Sequence, residues 1–318
     1  MDFGLIGAVF KNAKLNKLHK KAIEFAEKKD FKNAIANFLK ILDELPDHAT
    51  TWKNLGTAYY EAQDYENAVR SFKKALLYDS SLNEANFGQA FALLALNKLS
   101  EAQPILISAL KKKPDFVIGW INLAKLYWHQ GEHQKAIDEF LKALKREPQN
   151  VDAMQGIAEA YFRTRQNEKA IEYFEKLTKE LPENTHVLLR LGELYGNSEQ
   201  FELAREKLAK ALKINPNFHD ALFMFAKIDI LTNKFSEAVK KLEKLAKTHP
   251  NNHEILFSLG TALGNGGNVS KAIETFESVI TLQPNLAEAW KSLAVCYNHI
   301  GNKEKADKCV AKYKELIS

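Results

Sequence analysis

Residues 119–148 read GWINLAKLYWHQGEHQKAIDEFLKALKREP, and this stretch decides the fold. Apolar residues recur at three- and four-residue spacing on both sides of the polar turn HQGEH at 129–133. That spacing places them on one face of each of two α-helices. The closing Pro148 ends the second helix, because proline has no backbone N–H and clashes with the preceding turn. The stretch therefore predicts a helical hairpin.

The same pattern recurs along the chain in a register of thirty-four residues. Prolines mark this register at Pro46, Pro114, Pro148, Pro182, Pro216, Pro250 and Pro284. Counting back from them gives nine repeats, numbered 1 to 9: residues 15–48, 49–82, 83–116, 117–150, 151–184, 185–218, 219–252, 253–286 and 287–318. A residue's position within its repeat is called its place below.

Equivalent places carry equivalent chemistry. Place 8 is alanine or glycine in every repeat, place 20 is alanine throughout, and place 24 is mostly aromatic or leucine. Small residues at places 8 and 20 let two helices approach closely while bulky ones fill the space around them. One hairpin cannot bury its own apolar face, so neighbouring hairpins must stack. We therefore predict a single stacked array over residues 15–318.

The repeat resembles the tetratricopeptide repeat family. Repeat 4 carries the family pattern in Trp120, Leu123, Ala124, Tyr127, Ala136, Phe140 and Pro148. The resemblance implies an all-α fold, a right-handed superhelical solenoid of antiparallel helix pairs. It also implies a non-enzymatic protein–protein interaction adaptor or scaffold, which holds a partner peptide or helix in a concave groove lined by the first helix of each pair.

In this family places 2, 5, 9, 12 and 13 of the first helix face inward, with place 6 beside them; we call these the inner places. The predicted groove residues are Phe87, Phe91, Leu94, Ile121, Asn122, Lys125, Trp128, Glu159, Phe162, Arg163, Leu189, Arg190, Glu193, Phe223 and Lys227. We expect Phe91, Trp128 and Phe162 to share one surface that receives apolar side chains of the partner. Arg163 and Arg190 would meet its acidic groups. Any single member could instead be ordinary core.

The sequence favours no enzyme, no cofactor and no metal site. The run GNGGN at 264–268 lies in a turn with no preceding strand, so it is not a phosphate loop. His129 and His133 flank a predicted turn and do not share a helix face. Cys296 and Cys309 have no histidine partner in the sequence that would indicate a nucleophile.

The amino-acid composition limits the remaining functional classes. The net charge of +5 over 318 residues is mild, and the groove is apolar rather than basic, so no nucleic-acid partner is expected and RNA binding is the weakest alternative. No apolar run is long enough to span a bilayer, and no secretory signal is evident. Two cysteines fit a reducing compartment, which predicts a cytoplasmic protein. Self-association through the repeat ends, possible on a membrane surface, is the other alternative.

Two features are left open by the sequence. Residues 1–21 carry five lysines and one aspartate among apolar residues. Residues 1–14 could form a helix that caps repeat 1, or one that docks to a partner or, with the rest of 1–21, contacts an anionic membrane. Asp229 occupies place 11, where most repeats have tyrosine or leucine, and is either locally solvated or a paired charge.

Overall fold

A computed structural model describes residues 12–318, and within that range the chain forms eighteen α-helices and no strand. The helices of repeats 1–4 are α1 (Ala13–Glu27), α2 (Phe31–Glu44), α3 (Ala49–Glu61), α4 (Tyr65–Tyr78), α5 (Asn83–Ala95), α6 (Leu99–Lys112), α7 (Val117–His129) and α8 (His133–Arg146). Those of repeats 5–9 are α9 (Val151–Arg163), α10 (Asn167–Glu180), α11 (Thr185–Asn197), α12 (Phe201–Ile214), α13 (His219–Leu231), α14 (Phe235–Thr248), α15 (His253–Asn265), α16 (Val269–Leu282), α17 (Ala287–His299) and α18 (Lys303–Ile317). The predicted all-α class of paired helices is confirmed.

The chain divides into two compact units, Met1–Ala160 and Tyr161–Ser318. Inside each unit a helix packs mainly on its partner in the same repeat and on the neighbouring repeat. The continuous array predicted over 15–318 stays a prediction. The helix or docking segment predicted at 1–14 lies almost entirely outside the described residues, which enter α1 at Ala13.

The turn between paired helices has one conformation in all nine repeats. Place 15 adopts a positive φ every time, at Lys29, Gln63, Asn97, Gly131, Arg165, Glu199, Asn233, Gly267 and Gly301. The N–H of place 16 then donates to the carbonyl of place 11, as from Asp64 to Tyr59 at 2.9 Å, which satisfies a carbonyl at the helix end. In four repeats the side chain of place 16 also caps the second helix, at Asp30, Asp64, Asn268 and Asn302.

The side chain at place 24 fills the space that small residues leave on two first helices. A Cβ added at Gly56, place 8 of the same repeat, would lie 2.8 Å from the Phe72 ring. One added at Gly88, place 6 of the next repeat, would lie 2.4 Å from it. Phe140 has the same relation to Gly156, at 2.3 Å. The ring therefore joins its own hairpin to the following one.

The boundary proline has a second role where place 4 of the next repeat is tryptophan. The indole N–H donates to the proline carbonyl six residues earlier. This bond holds the short segment between the proline and the first helix in place. These bonds join Trp52 to Pro46 at 2.8 Å, Trp120 to Pro114 at 2.7 Å and Trp290 to Pro284 at 2.8 Å.

Asp229 is a paired charge. Its side chain is fully buried, and its two carboxylate oxygens accept from Arg205 of α12 and, at 2.6 Å, from Lys241 of α14. Both cations also lie over the Phe225 ring, at 5.0 Å for the guanidinium and 4.5 Å for the ammonium. Burial, followed by the nearby Arg205 cation, lowers the pKa of Lys241. This cluster ties repeats 6 and 7 together through one carboxylate.

The packing of Phe72 predicts that Gly88→Ala destabilises the fold. We expect the free energy of unfolding to fall by about 1–3 kcal/mol, because the ring must move away from the new methyl group. Gly264→Ala is the matched control, since a Cβ there meets its nearest neighbour, Ala272, at an ordinary 3.6 Å. Urea denaturation followed by circular dichroism measures both. Equal losses in the two variants would contradict this packing.

The ion cluster predicts a large effect of Asp229→Ala. Removing the carboxylate leaves two half-buried cations facing each other, and we expect a loss of about 3 kcal/mol in the free energy of unfolding. Asp220→Ala on the same helix is the control, because Asp220 is exposed and should change stability by less than about 0.5 kcal/mol. A loss at Asp229 no larger than the loss at Asp220 would mean that the cluster contributes nothing.

Candidate functional site

Four members of the predicted groove are buried and cannot form an open surface. Phe87 is 1% exposed, Phe91 2%, Ile121 4% and Leu189 6%. Phe116 lies beside both phenylalanines, with its ring centroid 4.3 Å from that of Phe87 and 6.2 Å from that of Phe91. The prediction that these four side chains are accessible to a partner is therefore wrong. The common surface expected for Phe91, Trp128 and Phe162 fails at Phe91.

The first unit keeps some predicted groove residues accessible. Lys125 is exposed, and the half-buried members are Leu94, Asn122, Trp128 and Glu159. The Trp128 ring is partly covered by His133, whose ring centroid lies 4.1 Å away. The Asn122 amide donates to the carbonyl of Ile118 at 2.9 Å, within its own helix. Lys125 and the open side of Trp128 thus remain available in repeat 4.

Arg190, in the second unit, is already engaged by its own chain. Its guanidinium lies 4.6 Å above the Phe162 ring and donates to the Glu193 carboxylate at 2.8 Å. A partner's acidic group would have to compete with Glu193, which weakens the role predicted for Arg190. The other predicted members in this unit are exposed Arg163 and Lys227 and half-buried Phe223, whose ring lies 5.6 Å from the Lys227 ammonium.

A cavity of about 380 Å³ opens between α15 and α17 in the second unit. Its apolar lining residues include Phe257, Phe276, Val295 and Cys296. Its polar lining residues are Thr261, Asn265, Glu288, Lys291, Ser292 and His299. Val295 is 63% exposed although apolar. Such a concave apolar space with a few polar groups is typical of a ligand site.

The sequence-based groove set contains none of these residues. The sequence carries only a weak signal: Gly264 at place 12 and Ser292 at place 6 are small, but place 12 is also glycine at Gly196 and place 6 is glycine at Gly88 and Gly156. Place 12 is Trp128 in repeat 4 and place 6 is Arg190 in repeat 6. A small residue at an inner place leaves room that only the folded chain reveals.

Both cysteines are buried free thiols. Burial raises the pKa of Cys296, and burial together with the Glu277 carboxylate raises the pKa of Cys309. Each thiol is therefore held in its protonated, weakly nucleophilic form at neutral pH. Over residues 12–318 no group of three or more histidine, cysteine or acidic side chains could hold a metal ion. In the same range no helix is long and apolar enough to cross a membrane.

A polar cluster is buried at inner places of repeats 1 and 2. His19 is 2% exposed, while Lys53 and Asn54 are fully buried. The Asn54 amide nitrogen and the His19 Nε2 atom are 3.2 Å apart. Burial, followed by the charges of His48 and Lys53, lowers the pKa of His19. The imidazole is therefore held neutral inside the first unit.

Three family models, each described as the tetratricopeptide repeat, match most of the chain. One matches residues 87–151 and 258–307, the second 127–189 and 197–263, and the third 49–82. The chain belongs to the tetratricopeptide repeat family. The repeat is a protein-interaction module, and none of these models describes an enzyme. The chain is thus a protein-interaction scaffold in this general sense.

Known proteins agree with that assignment. The Protein STIP1 homolog of Dictyostelium discoideum is 30% identical over 95 residues, which are 30% of this chain and 17% of that relative's length. A tetratricopeptide repeat protein from Parabacteroides merdae ATCC 43184 superposes with a TM-score of 0.57 at 20% identity, covering 74% of this chain and 93% of that one. MamA from Desulfovibrio magneticus RS-1, residue 41 to the end, gives 0.51 at 19% identity, covering 52% and 94%. The two structures show the shared fold.

The neutral state of His19 predicts a stability that depends on pH. The unfolded histidine takes up a proton near its ordinary pKa of 6.5, whereas the folded one does so only at lower pH. The free energy of unfolding should therefore decrease as the pH falls from about 7.5 to about 5.5, and His19→Gln should reduce that slope. Denaturation series at several pH values measure it. His129→Gln, at an exposed site, is the control, and an unchanged slope in His19→Gln would contradict the prediction.

Proposed function

We propose that the chain is a non-enzymatic adaptor that binds a partner peptide or helical segment along the inner places of repeats 8 and 9. One apolar side chain of the partner enters the cavity between α15 and α17. The observation that carries the proposal is this cavity of about 380 Å³, with its apolar lining residues and the solvent-exposed Val295. Burying this apolar surface under a partner's aliphatic or aromatic side chain would contribute about 2 kcal/mol.

The charged residues near the cavity favour a partner that carries acidic groups beside the apolar side chain that enters the cavity. Lys291 is exposed at the edge of the cavity, and Lys227 is exposed at an inner place two repeats earlier. The Lys227 ammonium lies 5.6 Å from the Phe223 ring and the Lys291 ammonium 6.0 Å from the Tyr313 ring, and both lysines remain exposed. Glu288, also at the edge, favours a polar or basic group at one end of the bound segment. The partner is therefore amphipathic and of mixed charge, with acidic groups near the two lysines.

The other open inner positions stay predictions. Lys125 and Trp128 of repeat 4, with Arg163 and Phe223, would extend the contact of a longer partner. Self-association through the repeat ends, contact of residues 1–21 with a membrane surface, RNA binding and a cytoplasmic location are likewise predictions.

The test selects peptides on the full-length chain and then measures their affinity. Random peptides of about 12 residues are displayed and selected, and fluorescence anisotropy gives the Kd of the selected ones. We expect Gly264→Leu to weaken binding by about tenfold or more, because the new side chain fills the cavity. Lys291→Glu should weaken binding of acidic peptides alone.

Ala209→Leu is the matched control, since it adds the same side chain at an exposed helical position and should leave the Kd unchanged. Circular dichroism and thermal melting verify that each variant is folded. Peptides that bind Gly264→Leu as tightly as the unmodified chain would exclude the cavity. Failure to select any peptide would exclude peptide binding.

A further inference from the structure

Another cavity lies in the first unit, away from the inner places. Its volume is about 510 Å³, and residues of α2, α3 and α4 line it. Every lining residue occupies a place of repeat 1 or 2 other than the inner places, among them Leu39, Trp52, Arg70, Lys73, Lys74 and Leu77. The family's groove is lined by inner places, so this cavity belongs to a different surface.

Helix α4 contributes a basic stripe and an accessible leucine to this cavity. Arg70, Lys73, Lys74 and Leu77 follow one another at three- and four-residue spacing, so they lie on one face of the helix. All four are exposed, and Leu77 is 72% exposed although it is apolar. The cavity therefore combines three cations with apolar surface that solvent reaches.

The basic stripe distinguishes repeat 2 from the other repeats. Repeat 2 is the only one of the nine in which places 22, 25 and 26 are all basic. In repeat 5 the Glu172 carboxylate, at place 22, accepts from Lys176, at place 26, at 2.7 Å. Place 22 of repeat 2 is Arg70, so Lys74 has a like charge four residues away, which destabilises a helix slightly. Carboxylates from a partner would relieve this repulsion.

Place 29 of repeat 2 is also unusual. It is lysine in repeats 3 to 7, where a cation in the last turn interacts favourably with the C-terminal end of the helix. Leu77 forgoes that interaction and exposes apolar surface to water instead. Two features that are unfavourable for the free chain thus occur at one cavity, as is expected of a functional surface.

The fold holds the apolar side of the cavity in place. The Trp52 indole N–H donates to the Pro46 carbonyl at 2.8 Å, and this bond orients the ring. Trp52 and Tyr59 are half-buried, and Leu39 of α2 is 40% exposed. Side chains that are already ordered lose little conformational entropy when a partner covers them. Together with Leu77 they can receive apolar side chains of a partner.

We propose that this cavity and the exposed face of α4 bind an acidic amphipathic helix of another protein. Apolar side chains of that helix, three and four residues apart, cover Trp52 and Leu77. Its carboxylates pair with Arg70, Lys73 and Lys74. A helix lying along α4 presents both sets at the spacing that the α4 stripe has.

The chemistry of the surface favours a peptide over other anions. The three cations extend over about one turn of α4, so several carboxylates are needed to match them. A fatty acid carries one carboxylate, and a cavity with a lining residue as exposed as Leu77 would not enclose its chain. A single-stranded nucleic acid would match the charge, but it binds through aromatic stacking and would leave the leucines in water.

The first test selects peptides from a library of defined composition. The displayed peptides are helical and about 16 residues long, with leucine at three- and four-residue spacing and glutamate or lysine at random elsewhere. The target is the full-length Gly264→Leu chain, in which the cavity between α15 and α17 is filled. We expect glutamate to exceed lysine about threefold or more in the selected peptides. Selected peptides without a glutamate excess, or no selected peptide at all, would overturn the proposal.

The second test assigns the binding to α4. Fluorescence anisotropy gives the Kd of the selected peptides for two variants, and circular dichroism verifies that each variant is folded. The combined change Arg70→Glu, Lys73→Glu, Lys74→Glu should weaken binding by about a hundredfold, because it reverses all three charges. Leu77→Asp should weaken binding by about tenfold. An unchanged Kd in either variant would overturn the proposal.

Matched controls make the same changes on other helices. Lys240→Glu, Lys244→Glu, Lys247→Glu reverses three exposed cations of α14. Leu231→Asp replaces a leucine that is 60% exposed in the last turn of α13. Each control should change the Kd by less than about twofold. Equal weakening by the two triple variants would mean that the peptides respond to net charge alone, and would overturn the proposal.

Other anions are tested on the same variants. Vesicles containing phosphatidylserine, or a single-stranded RNA, would overturn the proposal if they bound through the α4 cations while no glutamate-rich peptide did. The proposal does not rest on the peptide site of repeats 8 and 9, which lies in the other unit. Peptides that need the cavity between α15 and α17 bind the unmodified chain and not Gly264→Leu, whereas peptides on α4 bind both. Failure of one proposal is therefore distinguishable from failure of the other.

Discussion

The contact on which the fold depends is the insertion of the place-24 side chain between two first helices. Phe72 shows it most fully, because it fills the space left by Gly56 in its own repeat and by Gly88 in the next. A single side chain thus closes one hairpin and attaches the following one. The alanines at place 20 and the boundary prolines keep the second helix at the distance and length that this insertion requires. The repeats therefore stack through a side chain that each repeat carries at place 24.

Much of this architecture could be predicted from the sequence. The helices begin where the thirty-four-residue register places them, as α3 does at Ala49 and α15 at His253. Small and bulky residues at fixed places predict how the helices pack, because each helix contacts its partner in the same repeat and the helices of the adjacent repeat. The boundary proline was recognised as a helix end, although its carbonyl's bond to a tryptophan such as Trp120 was not.

The functional surface was harder to predict, for a physical reason. The place of a residue within its repeat predicts which face of the helix it occupies. Its exposure depends on the other side chains that pack over that face. Phe87 and Phe91 occupy inner places of repeat 3 and are nevertheless buried. Asp229 departs from the tyrosine or leucine that most repeats have at place 11. The reason lies in the folded chain, which brings Arg205 and Lys241 to its carboxylate. The cavity is lined by Gly264, which has no side chain at the place where Trp128 and Phe162 carry rings.

The uniform turn at place 15 limits how such a chain can diversify. Six of the nine residues with positive φ are not glycine, so the helix ends on both sides impose the turn rather than any special residue. One amino acid inserted within the second helix before place 24 would shift the ring at that place by about 100° around the helix axis, away from its glycines. The shared turn keeps the ring of Phe72 in register with its glycines, so exchanging single exposed side chains at the inner places is the change of binding surface that leaves this packing intact.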